Sequence, residues 1–333
     1  MENQNSRIEY FDWIRGLMIL WMLIYHISLN YGRITFGEAE EGATFFTFMS
    51  FFMATFYVSS GYFFSIKNDI KNFFIKKLKK IFIPYCVFTI FGLVVYEAYY
   101  LITQGHLGEI DLMAAIPTGC LRTNTPLWFF FSLFMCNIIY MVINKLFSRE
   151  YIVHFIIALC FVLAFVTKNK PQIFGYGNIL LGITFIHLGY CLCRYTEQVA
   201  KRHWVIIAIA FYFLLGIIFP SRLEFVRNIL VQGDYILNFV FTIVACFALW
   251  YISQLWNHDN IIGHSLIYIG KTSLVIFAAH RPILNWIIEP VIRNIYPNVP
   301  YSVFTFISLV IILSMCYGLD ILIKKHCPTL IGG

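Results

Sequence analysis

The chain has 333 residues, of which 60% are hydrophobic, 19% aromatic and only 12% charged. A soluble domain carries roughly 25% charged residues and 45–50% apolar ones. This composition excludes a soluble enzyme, a disordered chain and a nucleic-acid binder, despite a formal net charge of +7. It is the composition of an integral membrane protein. The nine cysteines are an odd number, mostly inside apolar runs, and show no zinc-site spacing. The nearest pattern is Cys191-Leu-Cys193, without a partner set, so neither a disulfide framework nor a metal is expected. Residues 1–7 are polar and lead straight into a full-length apolar run, which is not the pattern of a cleavable signal.

A spanning helix needs about 20 mostly apolar residues. Ten such runs are expected, near 13–31, 45–66, 81–102, 125–146, 150–167, 175–193, 204–220, 233–252, 265–288 and 301–323. Helices are required because lipid offers no partner to an open backbone. The runs are also too long and continuous for barrel strands. With the N-terminus placed in the cytoplasm, sixteen of the 24 Lys and Arg residues fall on the inner side and eight on the outer. That bias predicts both termini inside and explains the surplus positive charge as a topology signal. The expectation is one all-α membrane domain over residues 1–333, with no soluble domain, repeat or low-complexity stretch.

Ionisable groups inside spans cost about 2.5–3.5 kcal/mol each on insertion scales, so they are where function is sought. The first span carries Asp12, Arg15 and His26. At about 100° per residue, Arg15 lies roughly −60° and His26 roughly −40° from Asp12, so all three share one face. Arg15 and His26 are separated by about 16 Å of rise along that face. Two readings stand at each position. Asp12 and Arg15 are either an ion pair at a helix start or part of a site, and His26 is either a satisfied core histidine or a catalytic one.

The later spans pose the same choice. His280 is followed by Arg281-Pro282, where the proline breaks the helical ladder. This is a polar-stabilised kink or a functional group. His187, Glu97 and Asp320 are further candidates, with pairing to a neighbouring helix as the plainer reading. Lys76-Lys77-Leu78-Lys79-Lys80 precedes Pro84-Tyr85 and is either a lipid anchor, at about 1 kcal/mol per residue, or a phosphate site.

Taken in register, these segments resemble the acyltransferase 3 family of membrane acyltransferases. Asp12-Trp-Ile-Arg15-Gly16, with ten residues between Arg15 and His26, resembles that family's Asp-x-x-Arg-Gly and Arg-x10-His signature. Ser59-Ser60-Gly61-Tyr62 resembles its Ser-Gly-Tyr/Phe element, and Lys77-Leu-Lys-Lys80 before Pro84-Tyr85 resembles its basic motif. Pro126-Leu127-Trp128-Phe129 resembles the opening of its fourth span. Gly270-Lys271-Thr272-Ser273-Leu274 with His280 resembles its late Gly-x-x-Ser-Leu…His element. The likeness runs from residue 7 to about 325. One departure is clear: the family's usual Arg-x-x-Arg is here Lys77 and Lys80, which offer point charges and not planar forks.

The resemblance implies an acyl donor on the cytoplasmic side, usually acetyl-CoA, with no metal. It implies an acceptor hydroxyl on a glycan or lipid-linked sugar, at a bacterial-type inner membrane. The C-terminal hydrolase-like domain of many relatives has no counterpart, which suggests direct transfer. On this reading His26 is the base, because imidazole suits proton transfer near neutral pH. Arg15 positions the donor and Asp12 orients Arg15. Lys77 and Lys80 attract its phosphates, and Ser60, Tyr62, Trp128 and His280 line the tunnel or acceptor pocket. A transporter or flippase is the rival expectation. Against it, the Arg15…His26 pattern has no counterpart half a chain later, as an internal repeat would require.

Overall fold

A computed structural model of the chain describes residues 9–36, 51–65, 69–199, 222–225, 228–256, 258–295 and 299–331. Its helices, in chain order, are α1 (Glu9–Phe36), α2 (Phe52–Tyr62), α3 (Ile70–Lys77), α4 (Ile83–Gln104), α5 (Trp128–Leu146) and α6 (Glu150–Val166). They continue as α7 (Tyr176–Val199), α8 (Tyr235–Leu255), α9 (Ile261–Lys271), α10 (Ser273–Ile283), α11 (Glu289–Ile295) and α12 (Tyr301–His326). Two short strands, β1 (Arg222–Glu224) and β2 (Ile229–Gln232), pair antiparallel between α7 and α8.

Among the described residues, six helical segments are long and apolar enough to cross a membrane. They are Ile70–Gln104, Arg122–Leu146, Tyr176–Arg194, Tyr235–Leu255, Ser273–Ile292 and Tyr301–His326. The expected run 204–220 and the start of the run 45–66 lie outside the described residues. The expected run 265–288 is not one helix. Thr272 (φ −98°, ψ 2°) leaves helical geometry and separates α9 from α10. Beyond Pro282, a π-turn over Leu284–Ile288 carries the chain into α11. A second π-turn, Leu78–Phe82, joins α3 to α4 and carries Lys79 and Lys80. Such turns widen a helix locally and recur at functional sites.

Helix α1 is the axis of the bundle, packed by α2, α8, α9, α10 and α12. Two glycines set its crossing with α9. A Cβ on Gly16 would strike the Leu266 carbonyl, and one on Gly270 would strike the Asp12 carbonyl. Backbones in contact at small residues are how membrane helices associate when lipid removes any hydrophobic driving force. The same device recurs between α2 and α7, where Gly61 meets Ile186 and Gly189 meets Val58. The glycines beside the predicted site residues are thus crossing points. They bring α1 and the α9–α10 break together at one level.

Candidate active site

Two chambers lie at opposite ends of the helices. The first, of about 720 Å³, is lined by Arg15, Lys76, Lys77, Lys80, Lys271 and Lys324. Asp320 is the single carboxylate among the described residues of that lining, and it is held by Lys324 at 2.6 Å. Arg15 enters from α1, its Nη1 3.3 Å from Oδ1 of the fully buried Asp12. Its guanidinium stands 5.9 Å from the centre of the Phe63 ring. The ammonium of Lys77 stands 5.2 Å from the centre of the Phe73 ring. Cations gathered over an apolar wall, with one acid among them, make a site that attracts anions.

The chamber's inner wall is aromatic. Phe129, Phe130 and Phe277 line it, and Phe130 stacks on Phe277 with ring centres 5.3 Å apart. Phe277 in turn sits 6.1 Å from the His280 ring. His280 faces His26 across the bundle, with ring centres 5.1 Å apart and planes 31° apart. Nδ1 of His280 lies 2.8 Å from the Phe277 carbonyl and 3.2 Å from that of Ile276. Both partners only accept, so that nitrogen carries the hydrogen and Nε2 carries the lone pair. Nε2 of His280 and Nδ1 of His26 are buried without a hydrogen-bond partner among the described residues. Two adjoining imidazoles, each with an unused buried nitrogen, are equipped to take and return a proton.

Beyond the histidines lies the second chamber, of about 860 Å³. Tyr96, Tyr99, Tyr100 and Trp286 form its aromatic floor, with Tyr96 and Tyr99 at 5.0 and 5.3 Å from the Trp286 ring. Glu109, Asp111 and Arg122 from the connection after α4 face them. A polar network closes the side nearest the histidines. Nδ2 of Asn30, one turn past His26, donates to Asn285 and to Glu289, both at 2.9 Å. Its Oδ1 accepts from Arg281 at 2.7 Å. The histidine pair is therefore the partition. On α10, Phe277 lines the first chamber, Arg281 lines the second, and His280 stands between them.

The structure sorts the predicted residues by place. Arg15, Lys77, Lys80 and Ser60 line the lysine end, where Ser60 donates to Asn137 at 3.0 Å. His26 and His280 form the partition. Tyr62 and Trp128 line neither chamber: the Tyr62 hydroxyl is 3.2 Å from that of Tyr10, and Trp128 packs on Phe129. It is their sequence neighbours Phe63, Phe129 and Phe130 that reach the cavity. Three further candidates all have protein partners, but of the three only His187 finds them on neighbouring helices. His187 pairs with Tyr140 and His154, Glu97 accepts from the Gly108 amide, and Asp320 pairs with Lys324. Sequence reasoning missed Asn30, Asn285, Glu289 and Trp286. The available signal was Asn30 four residues past His26, on the same face.

A family model described as an acyltransferase domain matches residues 8–320, nearly the whole chain. No curated protein matches it.

Proposed function

Because the chain belongs to the acyltransferase 3 family, we propose that it moves an acetyl group from acetyl-CoA, bound at the lysine end, to a hydroxyl of a glycan or lipid-linked saccharide at the tyrosine end. The lysine end faces the cytoplasm of a bacterial-type inner membrane in this reading, and the acceptor enters from the other side. The observation that carries it is the run of one cationic chamber, one aromatic wall and one histidine pair, with a second, sugar-sized chamber beyond. Arg15, Lys77 and Lys80 receive the nucleotide phosphates. The pantetheine arm passes along Phe130 and Phe277, which are apolar and leave its thioester dry.

At the partition, His26 takes the proton of the acceptor hydroxyl as its oxygen attacks the thioester carbonyl. The tetrahedral intermediate collapses with loss of the CoA thiolate, which takes up the proton held by His26, either directly or relayed through Nε2 of His280. His280 is a hydrogen-bonded partner of backbone carbonyls at Nδ1, so its tautomer is fixed with Nε2 open to the reacting groups. Asp12 acts through Arg15 as a positioning residue. Purified protein in lipid with labelled acetyl-CoA tests this by release of free CoA and transfer of label. Loss of both in His26→Ala, with donor binding retained, is the expected result. Full turnover in that variant would remove His26 from the mechanism, and substrate flux without CoA release would favour a transporter.

A further inference from the structure

A second imidazole cluster stands where α6 meets α7 and contributes to neither chamber. His187 and Cys191 are four residues apart on one face of α7, and His154 reaches them from α6. Nδ1 of His154 lies 2.7 Å from Nε2 of His187, and Sγ of Cys191 lies 3.6 Å from the same nitrogen. The three ligand atoms lie within 4.8 Å of one another. Hydrogen bonding engages these groups two at a time, both contacts falling on the one His187 nitrogen, whereas a metal ion engages all three at once.

The dimensions suit zinc. With Zn–N of about 2.0–2.1 Å and Zn–S of about 2.3 Å, a tetrahedral ion sets N···S edges near 3.5 Å and N···N edges near 3.4 Å. The Cys191–His187 edge already matches. The two imidazoles need to part by about 0.7 Å to reach that edge, and the exposed His154, whose Nδ1 lies within 4.8 Å of the Cys191 sulfur, is the side chain that turns to set both of its edges. The surroundings suit zinc as well. Nδ1 of His187 lies 2.8 Å from the hydroxyl of the fully buried Tyr140. A histidine that ligates through Nε2 must carry its hydrogen on Nδ1, and a fixed partner there is the usual support of a metal-bound imidazole.

We propose that His154, His187 and Cys191 form a binding site for a thiophilic divalent transition metal, best fitted by zinc, with the fourth position open to water beside His154. Binding deprotonates the Cys191 thiol and releases one proton to solvent, so a dication, a thiolate and two neutral imidazoles leave one net positive charge. The ion clamps α6 to α7. Through Tyr140, whose ring is 4.7 Å from Phe64, and Phe64, 5.5 Å from Phe73, it braces the wall of the lysine-end chamber. The site is independent of the acyl-transfer reading.

The test uses full-length protein carrying no polyhistidine tag, purified in detergent and titrated with Co²⁺, then with Zn²⁺ as competitor. The expected result is about one cobalt per chain, a thiolate-to-cobalt charge-transfer band, its displacement by zinc and a rise in thermal midpoint with either ion. Cys191→Ser should abolish the band, and His154→Gln should weaken binding at least tenfold. Cys193→Ser, an exposed neighbour two residues on, should leave both unchanged. The His154→Gln change sits at the surface, so it keeps the test open where an alteration of His187 disturbs Tyr140. Wild-type protein that takes up no cobalt, or a band that survives Cys191→Ser, would overturn the assignment.

Discussion

The two chambers are built on the same helices and differ in almost everything that recognises a ligand. The lysine end gathers six cations and one acid around a phenylalanine wall. The tyrosine end gathers four aromatic rings with three acids and two arginines. A cationic pocket attracts any polyanion and does so at a distance, with a strength set by salt. A stack of Tyr and Trp edged by carboxylates and guanidiniums favours a neutral, flat, hydroxyl-rich face that it can both cover and hydrogen-bond. On the proposed reading, the donor is recognised by charge and the acceptor by shape. Only the histidine pair stands between the two, lining neither, and that is why the strongest test falls there.

His26→Ala should lower acyl transfer by roughly 10²–10⁴-fold, the usual contribution of a positioned general base. Donor affinity should stay within about twofold of the parent, since His26 lines neither chamber; a twofold change is about 0.4 kcal/mol. Measured CoA release set beside equilibrium binding of acetyl-CoA separates the two. A matching loss of donor binding would move His26 out of the partition and into the cationic site.

The next largest effect belongs to the lysine end. Replacing both Lys77 and Lys80 by Ala removes two charge-assisted contacts, each worth about 1.5–3 kcal/mol at best. Because both side chains are partly or fully exposed, solvent screening leaves the smaller part of that. We expect donor KM to rise roughly 10- to 100-fold with kcat nearly unchanged, and the penalty to shrink as salt rises. Steady-state kinetics at two ionic strengths decide it. If acceptor KM rose in their place, the two ends would be assigned the wrong way round.

These predictions rest on residues of unequal legibility. The stripe Asp12, Arg15 and His26 was visible because one helix wheel fixes a shared face. Gly16, Gly61 and Gly270 were visible as motif letters, although their role as backbone crossings was not. The wheel says which residues look the same way and nothing of what they look at. His280 and His26 meet across 254 positions, and Asn30 reaches Glu289 across 259. Such pairings depend on which helices adjoin, and that is fixed by close-packed glycines and by breaks. The break at Thr272 carries no proline or glycine of its own, so the run 265–288 reads as one helix until tertiary contacts divide it. Tyr62 and Trp128 fail for a related reason: a motif fixes a neighbourhood, while a rotation of one residue decides whether a ring or its neighbour faces the cavity.

A third prediction sharpens the tyrosine end. Trp286 is touched by Tyr96, Tyr99 and Tyr100 and donates weakly to the Thr123 carbonyl at 3.5 Å. Trp286→Ala removes the centre of the aromatic floor. By analogy with aromatic pairs, worth about 0.5–1.5 kcal/mol beyond the area they bury, it should raise acceptor KM by roughly 2- to 10-fold. Donor KM should not move. Trp286→Phe should recover most of the loss, because a face remains for stacking, whereas a role confined to the hydrogen bond with Thr123 would leave Phe as poor as Ala.

The smallest expected effect has the opposite sign to the lysine substitutions and so checks the electrostatic argument from the other side. Asp320 is buried beside the cationic chamber and holds Lys324 at 2.6 Å. Its carboxylate offsets part of the field that the cations make. Asp320→Asn keeps the shape, removes one negative charge and releases Lys324 toward the cavity. A partly exposed pair of this kind is worth about 0–1 kcal/mol, so donor KM should fall, by no more than about fivefold, and the gain should vanish at high salt. Stability should drop slightly, because the pair also ties the last turns of α12. If donor KM rose at low salt, Asp320 would be orienting Lys324 toward the phosphates, and its carboxylate would then belong to the binding geometry and not to its opposition.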